Sequence, residues 1–150
     1  MSRTMNSVDV NPILNRLWAI HRCSLPVYLG YAAPWARAGN DPVRDALTVI
    51  GADHRHMAER LQELIVESGG VVGGVEFPFR FTAWHDLSLD YLRHRLVQDQ
   101  QQRIAEIERC VAQLPSSPRA AAIAQEALGE AKGHFEMLRE LATQRAAAGG

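Results

Sequence analysis

Six side chains able to bind a metal ion recur along this sequence at helical intervals: His21, Asp53, His56, Asp99, Glu130 and His134. Asp53 and His56 form an Asp-x-x-His pair, three residues apart, which is close to one α-helical turn and lets both reach one ion. Glu130 precedes His134 by four residues, a spacing that also shares one helix face. Imidazole is a good ligand for iron, zinc or manganese-like sites, though a carboxylate suits hard, oxygen-loving ions better. In metal-binding four-helix bundles, donors of these types project inward from facing helices.

Each of the six has an ordinary alternative. Asp53 lies on an apolar stripe between Ile50 and Met57, where an ionised carboxylate is costly without a partner. That partner is a metal ion, an inward arginine such as Arg103, or solvent at the bundle edge. His56 follows one turn on, and its pairing with Asp53 favours ligation over a satisfied core histidine. His54, between them, is expected to point away, into solvent or a subunit contact. His21 sits beside Ile20, and His134 continues the stripe Ala127, Ala131, Leu138. Asp99 is flanked by Gln98 and Gln100, and a solvated surface charge is the alternative for it and for Glu130. Glu126 is a substitute for Glu130. His85 and His94 lack a supporting stripe.

The elements that must position these groups are marked by punctuation. Asn11-Pro12 and Asp41-Pro42 read as a helix N-cap followed by proline in the first turn. The first helix is expected from residue 11 to before Pro34, with a kink or a loosened turn at Pro26. The second is stopped by Gly69-Gly70. Residues 71–87 contain glycines, a proline and bunched aromatics without helical period, and read as a long connection outside the bundle. Asp86 or Ser88 caps a third helix, and Ser117-Pro118 opens a fourth that runs past Leu141. Short connectors make helices 1 and 2, and helices 3 and 4, antiparallel pairs. The long connection makes helices 2 and 3 parallel. The expected fold is therefore all-α, a four-helix bundle over residues 11–145 with one long crossover, flanked by flexible ends at 1–10 and 146–150.

At 150 residues the chain suits one domain with a useful core. A net charge of −1 argues against nucleic acid or an anionic membrane as an obligatory partner. Cys23 and Cys110 lie far apart, without a C-x-x-C pair, as buried thiols of a reducing cytoplasm do. Neither a signal-peptide pattern nor a long apolar run is visible. Aromatic residues beyond one stripe per helix, including Trp18, Tyr28, Tyr31 and Trp35, suggest a homodimer or a larger homo-oligomer.

With these residues placed, the chain resembles the bacterioferritin branch of the ferritin-like superfamily over roughly Ile13 to Leu141. The segment Leu14-Asn15-Arg16-Leu17-Trp18-Ala19-Ile20-His21 resembles the family's first helix, with His21 at the terminal glutamate. Asp53-His54-Arg55-His56 resembles its bridging Glu-x-x-His, and Asp99 stands at a second terminal glutamate. Lys132-Gly133-His134-Phe135-Glu136 is similar to the segment around the second histidine. The resemblance implies non-haem iron, or another divalent ion such as Mn or Zn, and a ferroxidase-like reaction with oxygen or peroxide. It departs at Ala131, where the second bridging carboxylate would stand, so that Glu130 would have to swing in. His54 falls at the haem-ligand methionine. Every other carboxylate is shortened or replaced by histidine, which points to a site poorer in negative charge. The alternative is a bundle without catalysis that serves as a structural or interaction module.

Overall fold

The computed structural model describes residues 2–32, 42–74, 76–78, 81, 89–114 and 117–149, with 2–9, 31–32, 89–90 and 144–149 described by backbone alone. These residues form an all-α bundle with no strand among them: α1 (Ser2–Arg22), α2 (Leu25–Ala32), α3 (Pro42–Glu67), α4 (Leu89–Ala112) and α5 (Pro118–Gly149).

The first expected helix is in fact two, and it begins earlier. α1 starts at Ser2, so Pro12 lies inside it and the Asn11-Pro12 start signal is overridden. The break falls at Cys23-Ser24, ahead of Pro26. Ser24 caps α2: its Oγ accepts the Val27 N–H at 3.3 Å, and its carbonyl accepts the Tyr28 N–H at 2.9 Å. Pro26 thereby sits in the first turn of a new helix, where its missing N–H costs nothing.

α3 opens at Pro42 and closes on a Schellman turn. Gly69 adopts φ +82°, its N–H bonds Val66 O at 3.0 Å, and the Gly70 N–H bonds Ile65 O at 2.9 Å, satisfying carbonyls the helix leaves open. Asn11 packs so close that a Cβ on Gly70 would lie 2.7 Å from its side chain. Asn15 continues the seam by accepting the Gly73 N–H at 2.8 Å and donating to Val71 O at 3.1 Å.

Side-chain pairs give the helix directions. His54 meets Ser24 and Asn15 meets Val71, so α1 runs antiparallel to α3. Arg119 meets Glu67, Arg60 meets Glu126 and His134 meets Asp53, so α5 is antiparallel to α3. Gln100 reaches Ala131 and Arg93 reaches Leu141, so α5 is antiparallel to α4 as well.

The apolar interior falls into two parts. One collects Leu14, Leu17, Met57, Leu61, Ile107 and, from α5, Ala120, Ala124, Ala127 and Ala131. The other collects Leu25, Leu29, Ile50, Phe81, Leu92, Leu96 and Leu138. Phe81 is 2% exposed and stacks near Tyr28, so the connection sends an aromatic into the core instead of lying wholly outside it. Phe79 and Trp84 of that connection, its caps Asp86 and Ser88, and Trp35 lie outside the described residues. Trp18 and Tyr28 are used inside the fold, Trp18 buried and Tyr28 packed against Phe77 and Phe81. That removes them as a reason to expect a dimer.

Candidate functional site

Between the two apolar parts lies a layer of buried polar side chains: His21, Ser24, His54, Asp99, Gln100, Arg103 and His134. The layer follows from each helix's own spacing. On α3 the buried positions alternate by three and four through Leu47, Ile50, His54, Met57 and Leu61, the seam of an antiparallel helix pair. On α1 the same alternation runs Leu14, Leu17, His21, and on α5 it runs Ala127, Ala131, His134, Leu138. A polar residue therefore replaces an apolar one at the same level of the bundle on successive helices.

The structure corrects two orientations. His56 is exposed and His54 is 1% exposed. The stripe through α3 passes one position later than the Asp53/His56 reading requires. Asp53 is on the flank, with 42% of its side chain exposed, and its Oδ2 accepts a 2.8 Å hydrogen bond from His134 Nε2. His21, predicted to face inward, is buried and bonds Leu17 O through Nδ1 at 2.8 Å. His134 is likewise interior.

Asp99 is buried, not solvated, and its partner is Arg103 one turn on, at 2.6 Å. Arg103 also donates to Gln100 Oε1 at 2.7 Å, and Gln100 donates to Ala131 O at 2.9 Å. Arg103 thus pairs with Asp99, not with Asp53. Glu130 is half-buried, with Oε1 enclosed and unpartnered. Glu126, considered as its substitute, is exposed and engaged by Arg60. His94 is exposed, and His85 lies outside the described residues.

The three buried imidazoles form a row. The His21 and His54 ring centres are 5.4 Å apart at 86°, and those of His54 and His134 are 5.4 Å apart at 61°. Burial pushes His21 down to about 4; the hydrogen bond to Leu17 O opposes this, and Arg103 and His134 reinforce it. Burial, then the Arg103 charge, holds His54 well below the ordinary histidine range. Both are therefore neutral at pH 7. Burial raises the Glu130 carboxyl; the nearby His134 opposes this and Asp53 reinforces it.

The tautomers follow from the partners. A carbonyl and an ionised carboxylate only accept. His21 therefore carries its proton on Nδ1, and His134 carries one on Nε2. His134 Nδ1 is left buried with no partner. His54 Nδ1 meets Ser24 Oγ at 2.7 Å; donation from that nitrogen leaves Nε2 as a lone pair. As the side chains stand, no group of three or more His, Cys, Asp or Glu among the described residues converges closely enough to hold a metal ion. The rings meet edge to face instead of pointing at one centre.

No protein-family model, curated protein or solved structure matches this chain. The polar layer itself therefore carries the functional argument. Among the described residues no helix is long and apolar enough to cross a membrane. Cys23 is half-buried and Cys110 buried, and both are free thiols raised by burial.

Proposed function

We propose that this chain is a ferritin-like four-helix bundle whose core binds one divalent transition-metal ion through His21, His54 and His134. The observation that carries this reading is the buried, unpartnered Nδ1 of His134, set in one layer with the buried imidazoles of His21 and His54. Fixing one ring nitrogen by a carbonyl, hydroxyl or carboxylate so that the other is a lone pair is the usual arrangement behind a metal-binding histidine. His54 stands between the other two imidazoles, its ring centre 5.4 Å from that of His21 and 5.4 Å from that of His134.

A site of two ions bridged by carboxylates does not fit. Ala131 offers no donor, His56 faces solvent, and Asp99 is held by Arg103. The single-ion site gives its residues distinct roles. Asp53 orients His134, and Glu130, one turn before His134, supplies a carboxylate at the rim. An imidazole-rich set favours Fe(II) or Zn(II) over Mn(II). The α5 direction, antiparallel to both α3 and α4, is what a one-crossover ferritin-like bundle requires. Iron oxidation by oxygen or peroxide is the activity this reading carries, and aerobic addition of Fe(II) with absorbance detection of Fe(III) tests it. Homodimerisation belongs to the same reading, supported by Val49 and Met137, exposed beside one groove between α3 and α5. Elemental analysis of protein purified without chelator tests the metal. About one ion per chain supports the reading, and none after reconstitution counts against it.

One observation favours a second reading. The Arg103 guanidinium, 5% exposed, already places a permanent positive charge in the layer and pairs with Asp99. A bundle stabilised this way needs no metal, and would act as a structural or interaction module. In that case Fe(II), Mn(II) and Zn(II) all leave the melting temperature unchanged.

A further inference from the structure

Arg44, Thr48, Gly51 and Arg55 recur along α3 at intervals of four, three and four residues, so they share one face of the helix. That face meets α2. A Cβ on Gly51 would lie 3.5 Å from Pro26 O and 3.7 Å from Arg55 Nη1, and one on Gly30 of α2 would lie 4.0 Å from the same nitrogen. The Arg55 guanidinium therefore lies back over two positions that carry no side chain. A cavity of about 310 Å³ opens beside it, lined by Arg44, Thr48, Arg55, both glycines and apolar residues of the two helices, with no carboxylate among them. Arg55 makes no hydrogen bond or ion pair among the described residues, although Glu59 follows it by one turn; Arg44 is engaged elsewhere. α2 carries no charged side chain at all. Two positive charges thus line one small space with no negative charge in its walls to offset them.

We propose that this cavity binds a phosphate-type oxyanion, either inorganic phosphate or the phosphate of a small ester. A guanidinium offers parallel N–H groups in a planar fork that matches two phosphate oxygens, and Arg55 has that fork unspent. Arg44 adds the second positive charge. The Thr48 hydroxyl already donates to Arg44 O at 3.0 Å, so the recognition falls to the guanidinium groups. Gly30 and Gly51 keep the floor clear, which lets an anion come close to the crossing. Leu29 and Leu47, both buried, wall the same space and suit the carbon stem of a short ester. This site is independent of the histidine layer and of the metal-binding reading.

The test titrates inorganic phosphate and glycerol 3-phosphate into the chelator-treated full chain in chloride buffer, read by calorimetry and by phosphorus NMR line width. Saturable binding of one phosphate per chain is expected. Arg55→Gln, which breaks no contact within the chain, is expected to weaken it by about tenfold or more. Arg55→Lys keeps the charge but loses the fork, and should fall between the two. Gly30→Leu, at an exposed position, fills the floor without altering any charge and should weaken binding as well. Circular dichroism shows that each variant is folded before titration. A preference for glycerol 3-phosphate supports the site and assigns the ester as its ligand. Equal affinity in wild type, Arg55→Gln and Gly30→Leu overturns the site. So does a response that chloride matches at equal ionic strength, or the lack of saturable binding by both probes.

Discussion

His134 Nε2 and Asp53 Oδ2 lie 2.8 Å apart, joining the inward face of α5 to the flank of α3. The bond spends the His134 proton on a half-exposed carboxylate and leaves Nδ1 bare inside the bundle. A hydrogen bond at the rim therefore decides which nitrogen the core receives. Asp53→Asn keeps the geometry but loses the charge that holds that tautomer. We expect it to weaken metal affinity by about 10–100-fold with little change in the stability of the metal-free protein, as read by parallel calorimetry and urea denaturation.

Acid should unfold this protein through its neutral histidines. His21 is about 4 in the folded chain and 6.5 in the unfolded one, so between those values the unfolded state binds more protons and stability falls as pH falls. The loss is roughly 3 kcal/mol for His21 alone, complete near pH 4. His54 acts in the same direction. Glu130, raised by burial, opposes them, because its folded state holds a proton more tightly. Urea midpoints measured from pH 7 to 4 should decline, and His21→Gln should flatten the decline. A flat wild-type profile would mean the histidines are solvated.

The Asp99–Arg103 pair is expected to show the asymmetry of buried ions. Arg103→Met alone leaves Asp99 charged and enclosed, at a cost of about 3–5 kcal/mol. Asp99→Leu combined with Arg103→Met removes both charges and should recover most of that loss. Denaturation of the two single variants and the double variant gives the coupling directly. Additive losses would show that the pair is solvated or broken in solution.

At the end of α3 the turn chemistry makes a local prediction. Gly69 holds φ +82°, so Gly69→Ala should cost about 1 kcal/mol. Gly70→Ala should cost no more than this, because its Cβ meets only the tip of the Asn11 side chain, which can swing aside. Thermal melts of both variants check the order.

Much of this architecture was legible in the sequence, and the misses have physical causes. Ser117-Pro118 and Pro42 open helices, and Gly69-Gly70 closes one, as local chemistry demands. His134 continues the stripe of α5 and His21 sits beside Ile20 on α1, and both are buried as that placement implies. On α3 two phases competed: Ile50 to Met57 can pass through Asp53 or His54, and only the longer alternation from Leu47 to Leu61 selects His54. That run was readable, but the Asp-x-x-His spacing drew attention to the wrong face. The break at Ser24 was displaced to Pro26 because a proline in a first turn and a proline kinking a helix look alike until the cap is seen. The Asp99–Arg103 partnership is an i, i+4 pair and was open to reading; the glutamines around Asp99 suggested solvent instead.

The central claim is that three histidines, not the Asp-x-x-His pair, hold an ion. Co(II) titration of wild type, His54→Ala and His56→Ala tests it most directly, with each metal-free protein first shown to be folded by circular dichroism. The account predicts one Co(II) per chain with the intense absorption of a low-coordinate imidazole site, lost in His54→Ala and intact in His56→Ala. Loss in His56→Ala with retention in His54→Ala, or no saturable binding to the wild type, would contradict it.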